Sequence, residues 1–574
     1  METEKILEYA YQKFDEGCYD EALDAFVLIY SKGYEREGIL ENIYACYMSG
    51  NEDIFRASYE KYGCDRGIAY DDCTFDFIPY QDGVYYIFDK EQAVFCGKFS
   101  LSELEQVAQT DALKTVEFSA AAVELDGNWQ YKQAILADAK NRKTYAVCID
   151  MNRGMSFLKI PELEPYLKNI MMFSDRVSMQ EYFHQNTSVY LPKIIYGDEP
   201  DFSAIFDQEH AYRLTSEGRN TENVLLTIAI PTANRGYLLP KRLENLLKMT
   251  YDAEIEIAIS KNGTRFYEEE YKKIAEITDA RVNYYDHRKD VMPRLNWHYA
   301  VQMSHGKYVL LVSDEDDVIL EALEHYFRLL TEYNSLSMMR VRTEVQGRSI
   351  CEREYARKGL EAFLCAFLRQ NYLSGLIVKR DLFLRANLLE LECFKDNVFY
   401  YFYPHEWWCA MLSQLGDVMF EPVSLIAEGN SVLTKEIQMW RDHGMLGDDE
   451  GTVGKSAFPQ YATYQARLEQ FVAQVDFVKW FCGERMEWRI PALQCVVNKL
   501  TYLFQLARCW DYDTENFEHW VDEYVTCCVN MTDTEITDVR QQVELLQSIE
   551  TGARALLYYH QVMLEKVPEM ALGE

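Results

Sequence analysis

Four acidic residues in a row, at positions 314–317, follow a short apolar run at positions 308–312, with only Ser313 between them. The run has the length and the Val and Leu content of a strand that is buried on both faces. Carboxylates packed so closely repel one another unless a cation or solvent relieves the repulsion. The acids therefore allow two interpretations: a divalent-metal site for a phosphate-bearing substrate, or a solvated turn that caps the next helix.

Polar turns also follow two strands that the pattern predicts upstream. The apolar segment 224–230 is followed by the turn PTANR, and the apolar segment 254–260 is followed by KNGT. Helical patterns lie between these strands, so the alternation predicts a parallel sheet with right-handed crossovers. Because the carboxyl ends of parallel strands open into one crevice, we expect these turns and the four acids to lie together there.

Three ordered segments carry a more specific signal. TIAIPTANRGYLLPKRLENLLKM, EIEIAISKNGT and RLNWHYAVQMSHGKYVLLVSDEDDV together resemble the nucleotide-sugar half of a family-2 glycosyltransferase with the GT-A fold. The resemblance implies an α/β catalytic domain with a Rossmann-like, mostly parallel sheet, which we place over residues 224–435. It also implies an enzyme that moves a sugar from a nucleotide-sugar donor to a hydroxyl acceptor, with inversion at the anomeric carbon.

The resemblance assigns donor-binding roles to the polar turns and to the segment before the acids. The residues that it implies near the nucleotide base or the phosphates are Pro231, Thr232, Asn234, Arg235, Asn262, Arg294 and Asn296, with Arg288 a weaker candidate. Lys261 stands where the family usually has an aspartate, which leaves the base open, although a UDP-sugar is the favoured donor. The Lys261 ammonium is expected either near a phosphate or in solvent.

The acidic motif, a DxD motif in the family, acquires separate roles through the same resemblance. Asp314 is implied as the contact to the ribose and as a metal ligand, Glu315 as a further donor contact, and Asp316 as the principal metal ligand. Mn²⁺ or Mg²⁺ is the expected cofactor, since both are hard cations that take oxygen ligands and bridge a diphosphate. Asp317 is expected to cap the following helix.

The acceptor side is predicted further along the chain. Ser374 and Gly375 occupy the place of the family's turn beneath the acceptor. Family members then carry an acidic pair at the start of a helix, and the last acid of the pair is the base. Here the pair is His405 and Glu406. Glu406 is the predicted base, because a carboxylate at a helix N-terminus can deprotonate a hydroxyl, and His405 is the alternative.

The flanking regions carry no catalytic motif. Residues 1–62 are predicted to be helical with a loose tetratricopeptide resemblance, and residues 63–220 to form a small α/β domain that includes a helix over 162–173. Residues 436–574 are helical by pattern, with a Gly-rich loop at 444–454. These C-terminal helices are expected to pack on the catalytic domain or to form a homo-oligomer.

Composition narrows the choice of partners. The chain has 574 residues with 58 basic and 93 acidic side chains, a net charge of −35, which argues against nonspecific binding to nucleic acid. No apolar run reaches the roughly 18 residues of a membrane span, and the charged start is unlike a secretory signal. We therefore expect a cytoplasmic protein with reduced cysteines. The expected acceptor is a bacterial glycan or protein.

Two other functions are consistent with the sequence. The departures at Lys261 and at His405-Glu406 favour a catalytically inactive GT-A scaffold that binds a glycan or a partner protein. A nucleotidyltransferase would use a similar sheet and similar acids, but it would also need a Gly- and Arg-rich phosphate loop after the first strand. NRGYLLPKR is a poor version of such a loop.

Overall fold

The structure is a computed structural model that describes residues 2–63, 67–103, 121–125, 143–148, 150–163, 169–196, 200–263, 266–344, 350–369, 372–429, 462–509 and 513–570. The chain divides into two compact units, Met1–Asn220 and Thr221–Glu574. The Gly-rich loop predicted at 444–454 lies outside the described residues, and the finer division into four domains stays a prediction. Within the described ranges, no helix has both the length and the apolar character needed to cross a lipid bilayer.

The first unit begins with helices and continues with two sheets. Its helices are α1 (Glu2–Asp15), α2 (Tyr19–Ser31), α3 (Arg36–Ile43), α4 (Glu52–Gly63), α5 (Met151–Met155), α6 (Arg176–Gln185) and α7 (Pro200–Arg213). Its strands are β1 (Phe75–Gln81), β2 (Val84–Asp89), β3 (Val94–Ser100), β4 (Ala121–Leu125), β5 (Thr144–Cys148), β6 (Ile170–Phe173) and β7 (Ile194–Tyr196). Strands β1 to β3 form an antiparallel sheet, and the other four form a parallel sheet in the order β6-β5-β4-β7.

The helix predicted over 162–173 is wrong at its C-terminal end. Residues Ile170–Phe173 form β6 and pair in parallel with β5. A short apolar run suits a buried strand as well as a helix, and its sequence alone does not choose between them. The neighbouring strand decides here, because β5 offers its backbone groups to the run and both end residues of β6 are buried.

The second unit holds the predicted catalytic region. Its helices are α8 (Leu239–Leu246), α9 (Glu268–Ala275), α10 (Pro293–Met303), α11 (Leu323–Glu332), α12 (Leu360–Ala366), α13 (Arg380–Arg385), α14 (Val398–Phe402), α15 (Pro404–Ser413), α16 (Tyr464–Cys482), α17 (Met486–Cys509), α18 (Phe517–Glu535) and α19 (Val539–Met570). Its strands are β8 (Leu226–Thr232), β9 (Ile255–Lys261), β10 (Val282–Asp286), β11 (Tyr308–Leu311), β12 (Asp317–Val318), β13 (Leu336–Thr343), β14 (Glu354–Ala356), β15 (Leu376–Lys379) and β16 (Asp417–Ala427).

These nine strands form one mixed sheet, with β14 beside β16 and the others in the order β10-β9-β8-β11-β15-β13-β16-β12. The pairs β10–β9, β9–β8 and β8–β11 are parallel, which confirms the predicted α/β fold with a mostly parallel, Rossmann-like half. Every residue of β8, β9 and β11 is buried, as expected for strands covered on both faces. On its other side β11 pairs with the antiparallel strand β15.

The C-terminal helices share their core with the catalytic sheet. One continuous cluster of buried apolar side chains runs from β11 and β15 through α15 to α16, α17 and α19. The closest ring contact within it is the stack of Trp407 in α15 on Phe477 in α16, with ring centres 4.2 Å apart. The expectation that these helices pack on the catalytic region is therefore met inside the described part of the chain.

Candidate active site

A cavity of about 340 Å³ opens where the polar turns follow β8, β9 and β11. We call it the donor cavity. It is lined by Pro231, Thr232, Ala233, Asn234, Arg235, Asn262, Pro293, Asn296, Trp297, Ser313 and Asp314. The ends of neighbouring parallel strands meet at one edge of the sheet, so residues 82 positions apart in sequence, such as Thr232 and Asp314, are in hydrogen-bond contact.

Asp314 is held by two groups from the first turn. The Thr232 hydroxyl donates to Asp314 Oδ2 at 2.8 Å, and Arg235 Nη1 donates to Oδ1 at 3.1 Å. Arg235 also reaches Glu315 Oε2, at 3.3 Å, so one guanidinium pairs with two of the four acids. Behind them, the Tyr271 hydroxyl lies 2.8 Å from the Thr232 oxygen and fixes its orientation. The turn after β8 and the acidic motif are therefore joined by hydrogen bonds and ion pairs.

Asn262 organises the second turn. Its Oδ1 accepts hydrogen bonds from the backbone amides of Gly263 and Val291 at 2.9 and 2.8 Å, and its Nδ2 donates to Asp290 at 3.0 Å. The Asn262 amide nitrogen carries two hydrogens, and Asp290 accepts one of them. The other can meet a ligand in the donor cavity, which Asn262 lines. This position can donate to a nucleotide base more readily than it can accept from one.

Lys261 occupies neither of its two expected places. Its ammonium is buried under the Tyr271 ring and pairs with Glu268 at 2.9 Å and Asp286 at 3.1 Å. It does not line the donor cavity. The two carboxylates, which the sequence did not single out, are the partners of its charge.

The two predicted phosphate-binding residues of α10, Asn296 and Arg294, line different cavities. Asn296 lines the donor cavity and exchanges hydrogen bonds with Ser260, whose hydroxyl donates to Asn296 Oδ1 at 2.7 Å. Arg294 instead forms a two-pronged pair with Glu392, with Nε and Nη2 at 2.9 and 2.8 Å from the carboxylate. It lines a second cavity. Arg288 is exposed and lines neither cavity.

Asp316 connects three segments of the chain. Its Oδ2 accepts hydrogen bonds from the hydroxyls of Tyr372 and Ser374 at 2.6 and 2.5 Å, and its Oδ1 accepts from the Gly429 amide at 3.0 Å. Burial raises the pKa of the Asp316 carboxyl, while these hydrogen bonds oppose the rise. Tyr372 and Gly429 escaped the sequence analysis, although Tyr372 lies only two residues before the predicted Ser374.

Asp317 does not cap a helix. It begins β12 and pairs with Ala427 in β16, while α11 starts only at Leu323. The acids were predicted to run directly into a helix, but the backbone after Asp316 instead has a strand partner in β16. Pairing with β16 satisfies backbone groups that a helix cap would have satisfied.

The second cavity, of about 190 Å³, adjoins the donor cavity and shares Pro293, Trp297 and Ser313 with it. We call it the acceptor cavity. Its remaining lining residues are Arg294, Tyr372, Leu373, Ser374, Tyr401, Phe402, Tyr403, Pro404 and His405. The aromatic side chains in this wall were not predicted as a group. Tyr401 and Phe402 are exposed, and such rings suit the apolar face of a sugar.

The two candidate bases lie differently, although they are adjacent in α15. His405 lines the acceptor cavity, whereas the Glu406 side chain is fully buried and lines neither cavity. His405 Nε2 lies 3.9 Å from Glu406 Oε1. Gly375, the other predicted acceptor-side residue, turns the chain at a φ of +84° directly before β15. A side chain there would also press on Val341.

The sequence between residues 227 and 378 matches the family model described as "Glycosyl transferase family 2". This part of the chain is a family-2 glycosyltransferase domain. The match begins in β8 and ends in β15, so it contains the donor cavity and most of the acidic motif's partners. No curated protein matches the chain.

Solved glycosyltransferase structures resemble this chain only distantly. Residues 1–349 of TarS from S. aureus are 14% identical, with a TM-score of 0.30, over 57% of this chain and 92% of that one. The same TarS fragment in complex with UDP-GlcNAc is 13% identical, with a TM-score of 0.34, over 58% of this chain and 92% of that one. The mannosyltransferase PcManGT from Pyrobaculum calidifontis, in complex with GDP-Man and Mn²⁺, is 11% identical, with a TM-score of 0.32, over 67% of this chain and 97% of that one. Scores this low add nothing to the family match.

Proposed function

We propose that the glycosyltransferase domain is a metal-dependent, inverting enzyme that transfers a sugar from a nucleotide-sugar donor to a hydroxyl of a glycan or protein. The observation that carries the proposal is the pair of adjoining cavities at one edge of the sheet. One holds the polar turns and Asp314, and the other holds an imidazole and an aromatic wall. They share Trp297 and Ser313, so a donor and an acceptor bound in them would meet there.

The donor cavity supports a nucleotide as the ligand. Asn262 and Asn296 offer amide groups beside Pro293 and Trp297, and Asp314 offers a carboxylate of the kind that accepts a hydrogen bond from a ribose hydroxyl. Arg235 lies on the same wall, and its guanidinium pairs with the carboxylates of Asp314 and Glu315. A UDP-sugar is the favoured donor. The Asn262 amide nitrogen can donate a hydrogen bond to a carbonyl oxygen of the base, such as those of uracil.

We propose His405 as the general base of this reaction, ahead of Glu406. An imidazole nitrogen on the cavity wall can take the proton of an acceptor hydroxyl as its oxygen attacks the anomeric carbon. The new bond from this oxygen to the anomeric carbon forms as the bond to the diphosphate oxygen breaks. The departing nucleoside diphosphate keeps the electron pair. Attack from the opposite face inverts the anomeric carbon.

Mn²⁺ or Mg²⁺ fits the residues at this edge of the sheet. Asp314 and Asp316 supply carboxylate oxygens, the ligand type that both cations prefer. Among the described residues, no cluster of three or more His, Cys, Asp or Glu side chains could hold a metal. The proposed cation would be bound by one or two carboxylates together with substrate phosphates. When bound, it would neutralise charge on the departing diphosphate.

The test is donor turnover. The protein is incubated with Mn²⁺ and, separately, UDP-, GDP- and dTDP-sugars, with a panel of simple glycosides as acceptors, and free nucleoside diphosphate is measured. Release with one donor class is expected. Donor binding without release in any combination would favour the inactive scaffold. Formation of pyrophosphate from a sugar phosphate and a nucleoside triphosphate would instead identify a nucleotidyltransferase.

A further inference from the structure

A third cavity, of about 450 Å³, lies at the β10 edge of the sheet. Its lining comes from the end of β10, the loop that follows this strand and the second half of α10. Among the described residues, it shares no lining residue with the donor cavity or the acceptor cavity, and it is larger than either. The proposed reaction therefore leaves this cavity without a role.

Three neighbouring aromatic rings line the third cavity. The centre of the Tyr285 ring lies 4.9 Å from that of His287, and the centre of the His287 ring lies 5.1 Å from that of Tyr299. Tyr285 is 54% exposed, although it belongs to a strand of the sheet. A row of accessible rings with hydroxyl groups suits a sugar, which has an apolar face and a polar rim.

The polar groups of the third cavity favour a neutral ligand over an anion. Lys289 supplies an ammonium, but Gln302 and Met303 belong to the last turn of α10, where the helix dipole places partial negative charge. Burial lowers the pKa of His287; Asp286 opposes this change and Lys289 adds to it, so the imidazole is neutral at pH 7. A diphosphate would find little compensation here. The Gln302 amide and the Lys289 ammonium can instead bond with hydroxyl groups.

Hydrogen bonds fix the wall of the third cavity to that of the donor cavity. The Ser260 hydroxyl donates to Asn296 Oδ1, so His287 Nε2 carries the hydrogen that it shares with the Ser260 oxygen, at 2.9 Å. The backbone carbonyl of Lys289 accepts from the Gly263 amide, in the turn after β9, at 3.0 Å. The third cavity is therefore built on the same turn and the same helix as the donor cavity.

Helix α10 determines how far apart the two cavities lie. Asn296 lines the donor cavity, whereas Tyr299 and Met303 line the third cavity. These residues are three and four positions apart, so they share one face of the helix. A rise of about 1.5 Å per residue places Met303 about 10 Å from Asn296 along the axis. A ligand in the third cavity would therefore lie beside a bound donor.

We propose that the third cavity binds a neutral saccharide and retains a glycan acceptor beside the catalytic cavities. The retention rests on the proposed function, whereas the binding does not. The rings stack on sugar units, and Gln302 and Lys289 bond with their hydroxyl groups. Attachment at a second point raises the effective concentration of the acceptor end of the same chain. The acceptor is then a glycan of several sugars rather than a protein surface.

Calorimetric titration of the intact chain tests the binding. The probes are hexasaccharides of glucose, mannose and N-acetylglucosamine, with UDP as the anionic alternative. At least one hexasaccharide is expected to bind. Combining Tyr285→Ala with Gln302→Ala should raise its Kd about 10-fold or more, because a ring and an amide are lost. Both side chains are exposed, so the melting temperature should change by no more than about 2 °C.

Two control variants locate the bound saccharide. Tyr502 in α17 is 53% exposed and lines none of the three cavities, so Tyr502→Ala should leave the Kd unchanged. Tyr401→Ala removes an exposed ring from the acceptor cavity and should raise the Kd less than threefold. If the double variant does not fold, Gln302→Ala alone should raise the Kd about threefold. Binding that depends on Tyr401 and not on Tyr285 would overturn the proposal.

Kinetics test the retention separately. With the bound hexasaccharide as the acceptor, the double variant should raise the KM about 10-fold and leave kcat unchanged, while the KM for a simple methyl glycoside stays the same. Equal losses with both acceptors would overturn the retention. Binding of no hexasaccharide through Tyr285, or of UDP in its place, would overturn the saccharide site. If the wild type turns over no donor, the proposed function fails, and the titrations still decide whether the third cavity binds a saccharide.

Discussion

At the residue scale, two neighbours in α15 lie in different surroundings, because His405 lines the acceptor cavity and Glu406 lines neither cavity. The family resemblance pointed to this pair, but sequence patterns do not show into which side of a helix a charge is buried. That depends on elements distant in sequence, such as α16, which packs on α15 through Trp407 and Phe477. Lys261 illustrates the same limit, since its partners Glu268 and Asp286 belong to different elements.

His405→Ala should reduce transfer about 10²- to 10⁴-fold, which is the usual contribution of a general base. His405 lines the acceptor cavity but is only 3% exposed, so its truncation also removes buried side-chain atoms and should lower the melting temperature. The KM for the donor should stay close to the wild-type value, because His405 does not line the donor cavity. Steady-state kinetics with the best donor checks this expectation. Transfer at the wild-type rate would exclude His405 as the base.

Chelation of divalent cations should lower donor turnover roughly 100-fold or more, because stabilisation of the leaving diphosphate is lost. Added Mn²⁺ should restore the rate. Asp316→Asn should show the same loss without restoration by Mn²⁺. An enzyme that stays fully active after exhaustive treatment with EDTA would contradict metal dependence.

A control is needed because Asp316 also accepts hydrogen bonds from Tyr372 and Ser374. Tyr372→Phe removes one of these bonds and keeps the carboxylate. It should lose much less activity than Asp316→Asn, and Mn²⁺ should still be required. Equal losses in both variants would assign Asp316 a structural role alone.

At the element scale, the site depends on strand ends that meet at one edge of the sheet. Hydrophobic runs and their spacing were sufficient to predict β8, β9, β10 and β11 and their parallel direction, because helical patterns lie between the runs. The order of the strands in the sheet was not predicted. The antiparallel insertion of β15 beside β11 and the pairing of Asp317 with β16 involve partners distant in sequence. Local patterns carry no signal for such pairings.

Gly263→Ala should disturb the turn after β9. A Cβ at this position would lie 2.1 Å from the backbone carbon of Lys289, so the segment that Asn262 holds must move. We expect a loss of about 1–3 kcal/mol in the free energy of unfolding and weaker nucleotide binding. Gly38→Ala is the control, since nothing lies within 4 Å of its added Cβ. Calorimetry and nucleotide titration measure both effects, and unchanged nucleotide affinity would separate this turn from the donor cavity.

At the scale of the whole molecule, the C-terminal helices and the catalytic sheet share one apolar core. The helical pattern of this region was visible in the sequence. Its partners were not, because wide apolar faces such as those of α16 and α17 fit either a second copy of the chain or the catalytic domain. Among the described residues, contacts such as that between Trp407 and Phe477 show that these helices pack on the catalytic domain.

Stability should rise with pH in a range that Lys499 determines. Its pKa of about 8 in the folded protein lies below its ordinary value, so the unfolded chain binds more protons between about pH 8 and 10. The penalty for burying this ammonium is fully present below pH 8 and disappears as the pH rises. Relative to Lys499→Met, the wild type should gain up to about 3 kcal/mol from pH 7 to 10, measured by denaturant unfolding. A constant difference would show that Lys499 has the same pKa in the folded and the unfolded protein.

The continuous core also sets the unit that can be exchanged between proteins. A chimaera that borrows only residues 227–378, the span of the family match, would leave behind Gly429, the partner of Asp316, and the whole contact between Tyr403 and Arg467. We expect donor specificity to be transplanted with the complete lining of the donor cavity, which lies within this span. The acceptor side can be transplanted only as a block that carries α16 and α17 with it.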